Sequence, residues 1–389
     1  MSMEKIGKFY DIISGYAFKS KDLKDVDDIP VVKIGNISNG KNIVRENLQY
    51  VSNDLLKINK KYHIEKGDVL ISLTGSHMNQ PNSIVGRSCR SYDKQVYLLN
   101  QRAGKVLRKG DFSLDYIYYV LQTKAMKEMI VCRAYGAANQ VNVSPSSITD
   151  IKWNFPSVSA ANRIASILST YDTLIENNTK RIRILEKMAE NLYEEWFVRF
   201  RFPGHENVKM VNGLPNGWKK GALSDVCEFK RGKNITSSEM KDGTIPVISA
   251  GITPSGFHSH ANVYGISVTM SSSGANAGYI AVHYSDIWAA DCSYIEEAST
   301  PCIYYVYELL NNIRSIINNF QRGAAQPHVY PKDINRIKMI IPSEDIRKKA
   351  NEKIGVIHRH IDNLQRQNSL LARQRDLLLP RLMSGKLEV

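Results

Sequence analysis

The chain has 389 residues, 43% of them hydrophobic, and carries 52 Lys and Arg against 38 Asp and Glu, a formal net charge of +14. That length predicts two or three domains; no run of about 18 apolar residues exists to span a membrane, and the basic excess favours a polyanionic partner, above all nucleic acid. The five cysteines are scattered with no CxxC pair, which excludes a zinc ribbon or disulfide framework, and the opening "MSMEKIGKFYDIISGY" lacks the apolar core of a signal peptide, so a reducing cytoplasm is the expected location.

Residues 1–155 read as an α+β unit. "IPVVKIG" at Ile29, "GDVLISL" at Gly67 and "KQVYLLN" at Lys94 are β-branched or alternating runs punctuated by Gly and Asn. "GNISNGKN" at Gly35 nearly fits a phosphate-binding loop with Lys41 in place. However, Asn42 stands where a magnesium-binding Ser or Thr belongs, and a strand-like "NIV" replaces the helix; a Gly-Asn turn is expected instead. The loop "LTGSHMNQPNSIVGR" offers Thr74, Ser76, Asn79, Gln80 and Arg87. A helical patch, "LDYIYYVLQTKAMKEMIV" from Leu114, precedes "GAANQVNVSPSSITDIKWNFP" from Gly136.

Residues 156–202 change texture. Ile164, Ile167, Tyr171, Leu174, Asn178, Arg181, Leu185, Met188 and Leu192 follow 3-4 spacing, the seam of a long helix. A Pro-, Gly- and Asn-rich linker, 203–217, opens a second unit running to residue 342. "KRGKNI" at Lys230, "IPVISAGITP" at Ile245 and "GISVTMSSSG" at Gly265 stand in the order of the first unit's runs. "TPCIYYVYELLNNIRSIINNF" from Thr300 again precedes a Gly-Ala-Ala loop, "GAAQPHVYPKDINRIKMIIP" from Gly323. Residues 343–389 give a second long helix and tail, with a seam of Ile354, Ile357, Ile361, Leu364, Asn368, Leu371, Arg375, Leu378 and Leu382.

The two Gly-Ala-Ala segments match at 186 positions' distance: Gln140 with Gln326, Val143 with Val329, Pro145 with Pro331, Ile148 with Ile334. Upstream, Gly15 falls against Gly232. So long a period is a domain duplication, not a solenoid. Each seam carries one asparagine, Asn178 and Asn368, a residue that fixes register at some cost in stability. The fold expected is α+β: two duplicated units, each followed by a long helix, the helices pairing as an antiparallel coiled-coil spacer with Ile167, Leu174, Asn178, Leu185, Ile357, Leu364, Asn368 and Leu378 at its interface.

Catalytic patterns are missing. There is no Pro-Pro of the amino-methylating enzymes, no GxGxxG, no GxSxG and no HExxH. "HSH" at His258 lacks a third ligand and reads as surface histidines, while "HRH" at His358 lies on a helix, where residues two apart do not share a face. Groups suited to DNA are present instead, since amides and guanidinium groups read base edges while cations hold phosphates. Candidates in the first unit are Lys41, Thr74, Ser76, Asn79, Gln80, Arg87, Tyr135, Asn139, Gln140 and Asn142. In the second they are Arg231, Lys233, Ser271, Ser273, Asn276, Gln321, Arg322, Gln326 and His328.

With "LYEEWFVRFRFPGHE" from Leu192, "LPNGW" from Leu214, the paired loops before "VSPSSI" and "VYPKDI", and the closing "QRDLLLPRLMSGKLEV", the chain resembles a type I restriction–modification specificity subunit along its whole length. The first unit lacks an "LPxGW" opening of its own. The resemblance implies two target recognition domains reading an asymmetric, bipartite DNA sequence, and helices that set the gap and dock methyltransferase subunits, two of them. It also implies restriction/translocase subunits in the full complex, with S-adenosylmethionine, ATP and magnesium on those partners and no cofactor, metal or catalytic residue on this chain. The competing expectations are a self-contained DNA methyltransferase or nuclease with a cryptic centre, and a coiled-coil protein scaffold.

Overall fold

The computed structural model describes residues 2–38, 40, 42–76, 84–137, 140–323 and 327–389. The chain divides into two compact units, residues 1–175 with 369–389, and residues 176–368. The division falls inside both long helices, Val158–Tyr193 and Glu344–Met383, rather than at the borders 155/156 and 342/343 expected from texture. The reason is burial. Ala161, Ile164, Ala165 and Leu168 belong to the first unit's core together with Leu382 and Met383. Ala189, Tyr193, Ala350 and Ile354 belong to the second unit's core.

The first unit is α+β. Its main sheet is antiparallel, in the order Tyr10–Ser14, Ala103–Arg108, Val69–Ser72, Ser88–Arg90. A second sheet runs Gln49–Val51, Ile29–Val32, Tyr97–Leu99, His63–Ile64, and its central pair is parallel, with Val31 opposite Leu98. The strand at Val69–Ser72 is buried on both faces, as its continuous apolar run requires. Two helices cover the main sheet, Leu114–Gln122 and Lys124–Val131. Ser113 caps the first by accepting from Tyr116 N, and Thr123 caps the second by accepting from Met126 N. Asn36 sits where the phosphate-loop pattern began; its Nδ2 donates to Val44 O and Glu46 O, closing a turn. No helix follows among the described residues of that segment.

The second unit repeats this plan. Its main sheet runs Lys230–Arg231, Cys292–Glu296, Ser267–Ser271, Ile280–His283. Its smaller sheet again has a parallel centre, Val247 opposite Trp288. The helix Ile303–Asn312 occupies the place of Leu114–Gln122. Gly15 and Gly232 prove equivalent: their amides donate to Ala103 O and Cys292 O, partners in corresponding strands. A Cβ on Gly15 would overlap the carbonyls of Leu99 and Asn100, and one on Gly232 those of Ala289 and Ala290. Gly15→Ala and Gly232→Ala are therefore each expected to cost roughly 1–3 kcal/mol, because backbone, not a movable side chain, receives the methyl. Urea unfolding measures this.

The long helices pack antiparallel within each unit. In the first, Asp172 pairs with Arg375. In the second, Asn178 Nδ2 donates to Gln367 Oε1 at 3.4 Å and Asn368 Nδ2 to Thr179 Oγ1 at 3.5 Å. The two seam asparagines thus bond each other's neighbours. The seam read for the second helix is buried or half-buried at every position. The first needs correction. Its positions at seven-residue intervals (Ile164, Tyr171, Asn178, Leu185, Leu192) face inward, but the alternate rungs are Leu168, Ile175, Ile182 and Ala189. Leu174 is 45% exposed and Met188 51%, so neither lies on the seam, while Ile167 is half-buried against the first core. Arg181, also read onto the seam, is exposed; residues three and four after a seam position flank the same line on a 3.6-residue helix, and at every other rung both choices are apolar.

Candidate nucleic-acid interface

In the first unit the chain turns back on itself at Gly136. Tyr135–Ala137 pairs with Gln140–Asn142, Gly136 opposite Val141. Gly136 has φ +141, and a Cβ there would strike the Gln140 carbonyl, which explains the glycine. The hairpin's second strand then pairs with Thr74–Gly75, where the other polar loop begins. Two segments singled out in sequence, 65 residues apart, thus share a three-stranded sheet. Thr74 Oγ1 donates to Asn142 Oδ1 at 2.8 Å. Thr74 is buried, so it locks the hairpin to the sheet rather than offering a free hydroxyl. Tyr135 is 61% exposed and Gln140 is exposed; Asn142, Ser76 and Arg87 are half-buried beside them. Lys127 lies nearby, its ammonium destabilised by burial and then by the Arg87 charge.

The second unit builds the same corner. Arg322 is bridged to His328, and His328 to Ser273. Gly274 N donates to Pro327 O and Val329 N to Ser272 O, so the hairpin again lies on the strand that follows the main sheet. Ser271 and Ser273 are buried at 4% and 6% exposure. Ser271 Oγ donates to Ala250 O and Ser273 Oγ to Asp291 Oδ2, so both serve as supports, contrary to the expectation that their hydroxyls face DNA. Gln321 is exposed, but its Nε2 is committed to Ala277 O at 2.8 Å. Arg322 is exposed and held by Asp333 at 3.0 Å. His328 stacks on Tyr330, and Asn276 ends a short turn at Gly274–Asn276. Arg231 and Lys233 are exposed at the end of the strand that borders Cys292–Glu296. Lys41, Asn79, Gln80, Asn139 and Gln326 lie outside the described residues.

The structure also sets polar groups where sequence suggested none. Asp172 is 6% exposed and accepts from Tyr119 Oη at 2.6 Å and Arg375 Nη1 at 2.5 Å. Burial and then the Asp172 charge push the Tyr119 hydroxyl far above its ordinary range. Around this pair, Gly40, Gln122, Thr123, Lys124, Lys127 and Leu379 help line an open cavity of about 320 Å³. In the second unit His358 is 1% exposed. Its Nε2 meets Glu308 Oε1 at 3.0 Å and its Nδ1 meets Tyr284 Oη at 2.8 Å, with Tyr304 stacked on the ring. His258, expected at the surface, is likewise buried, accepting from Lys241 N at Nδ1. A two-residue histidine spacing carries no information on depth, so these placements had no sequence signal. No group of three or more His, Cys, Asp or Glu suited to a metal occurs among the described residues. No described helix is long and apolar enough to cross a membrane.

Comparison with known proteins agrees with this architecture. The family model described as the type I restriction modification DNA specificity domain matches residues 1–187 and 215–373. The MjaIX specificity subunit of a type I restriction enzyme from Methanocaldococcus jannaschii is 26% identical over 325 residues, 76% of this chain and 74% of that protein. A second M. jannaschii relative, the putative MjaX specificity subunit, is 23% identical across 95% of this chain and 90% of its own. The crystal structure of a type I restriction–modification S subunit from M. genitalium superposes with a TM-score of 0.60 at 19% identity, covering 98% of this chain and 95% of that one.

Proposed function

The chain belongs to the type I restriction–modification DNA specificity family, and from that premise we propose that each of its units reads one half of an asymmetric, bipartite DNA target. The observation that carries this reading is the repeated corner. One scaffold presents Tyr135 and Gln140 in the first unit and Arg322 and His328 in the second. A shared scaffold with different base-reading groups calls for two different half-sites. The net charge of +14 supplies attraction to phosphates.

The chain serves as the specificity subunit and leaves bond-making to partners. Those are methyltransferase subunits, two per chain, which bring S-adenosylmethionine, and restriction/translocase subunits that use ATP and magnesium. The paired helices set the gap between half-sites and dock the methyltransferases. Supporting the docking role, Val356, Leu370 and Leu377 on the second helix are exposed, apolar and spaced by multiples of seven. Candidate domain borders for the two readers are 1–155 and 203–342.

Co-expressing the chain with its modification subunit and mapping adenine methylation across a genome tests the proposal. A split motif is expected; one continuous motif overturns it. Gln140→Ala and Arg322→Ala are each expected to weaken one half-site only, by about 1–3 kcal/mol where the lost contact is bidentate. Binding titrations on DNA altered in one half at a time give the answer. Affinity is also expected to fall steeply with salt, at a log-log slope near −0.9 per phosphate neutralised. A flat salt response favours a protein scaffold.

A further inference from the structure

At the foot of the second unit's hairpin stands an acid. Asp291 immediately precedes Cys292, which pairs with Ser271. Its Oδ2 accepts from Ser273 Oγ at 2.6 Å. Ser273 is buried and bridged to His328, so the carboxylate is fixed against the strand that carries the hairpin. Asp291 is half-buried and lines an open recess of about 270 Å³ with Asn234, Thr236, Glu239 and Ser249. The loop beyond Ser249 is tied to the same corner through Ala250 O and Ser271 Oγ.

A carboxylate in this place works against phosphate binding, because like charges repel and it has no proton to donate. On the major-groove edge, however, cytosine N4 and adenine N6 are amine donors that need an acceptor. The geometry points to Asp291 as a base-reading residue of the second unit, accepting a hydrogen bond from the exocyclic amine of cytosine or adenine in that unit's half-site. This rests on the reading of the chain as a DNA specificity subunit. Ser273 holds one oxygen and so fixes the rotamer, leaving the other oxygen for the base. Glu239, which lines the same recess, is tied to its own turn instead, its Oε2 accepting from Thr236 N and Thr236 Oγ1 at 2.7 Å.

The first unit carries Arg102 at the matching place. Arg102 precedes Ala103, the partner of Ser72, and Leu73 N donates to its carbonyl. Its side chain is exposed. The same position therefore bears a pure donor in one copy and a pure acceptor in the other, as reading different bases requires.

The test uses the full chain, wild type, Asp291→Asn and Asp291→Ala, each co-expressed with the modification subunit and assayed for methylation on a DNA library randomised across both half-sites. Asp291→Asn keeps an oxygen for Ser273 and turns an NH2 toward the base. Its preference is expected to move at one position of the second half-site, from cytosine or adenine to guanine or thymine. Asp291→Ala is expected to flatten preference at that position by roughly tenfold. The first half-site should be unchanged in both, which certifies folding and assembly. An Asp291→Asn complex that methylates with wild-type preference at every position overturns the assignment. A wild-type complex that reads no second half-site at all overturns the functional reading itself.

Discussion

Leu364→Asp is expected to destabilise the second unit by at least about 3 kcal/mol, while Leu174→Asp changes stability by no more than about 1 kcal/mol. Both leucines occupy equivalent places in a seven-residue repeat, and sequence alone ranks them equally. Leu364 is 6% exposed in the helix seam, and Leu174 is 45% exposed on the outer face of its helix. A carboxyl at Leu364 loses the leucine's packing and must be desolvated as well. Burial raises its folded pKa above the unfolded value, so the folded state binds the extra proton first. Stability of the variant is then expected to recover in part as the pH falls from 7 toward about 4, the unfolded value, opposite to the usual behaviour of a paired carboxylate. Leu174→Asp changes only a solvated side chain and a few tenths of helix propensity. Denaturant unfolding of both variants at pH 7 and pH 5 measures the contrast. Equal losses would place Leu174 in the seam after all.

Asp172→Ala is the second large effect, about 3 kcal/mol in the first unit. The carboxylate is buried and shared by two donors, the Tyr119 hydroxyl and the Arg375 guanidinium. Removing it strands both. Arg375 keeps part of its compensation, because its Nε and Nη2 also donate to Asp376 Oδ1. That residual partner is 62% exposed, so it replaces only a fraction of what a buried carboxylate supplies. The double variant Asp172→Leu/Arg375→Met removes both charges together and is expected to recover most of the loss, since apolar packing substitutes well for a buried ion pair. A double-mutant cycle from urea unfolding reads the coupling. Additive losses would show that the two side chains do not act as a pair.

Much of this architecture is written locally. The match of "NQVNVSPSSI" with "QPHVYPKDI" and of Gly15 with Gly232 reveals a duplication, because each copy needs the same tight backbone approaches. Long helices show in seven-residue spacing, and two such seams in one chain point to their pairing, while the antiparallel direction is seen in the contacts Asp172–Arg375 and Asn178–Gln367. The polar loops at Leu73 and Gly136 are visible as candidate contact segments for the same reason: glycine and short polar residues mark chain reversals.

What the amino-acid order determined, then, is the set of parts: two α+β copies, two seams and two polar hairpins, since periodicity and turn chemistry act over a few residues. Only the tertiary structure decided which parts meet. It laid the hairpin strand beside Thr74, turned Thr74, Ser271 and Ser273 inward as supports, brought Asp291 to the hairpin's foot, and chose Leu168 and Ile175 over Ile167 and Leu174 for the seam. The physical reason is that strand register and helix rotation are set by contacts between residues far apart in the chain, and each choice was locally permitted by apolar or polar residues on either side.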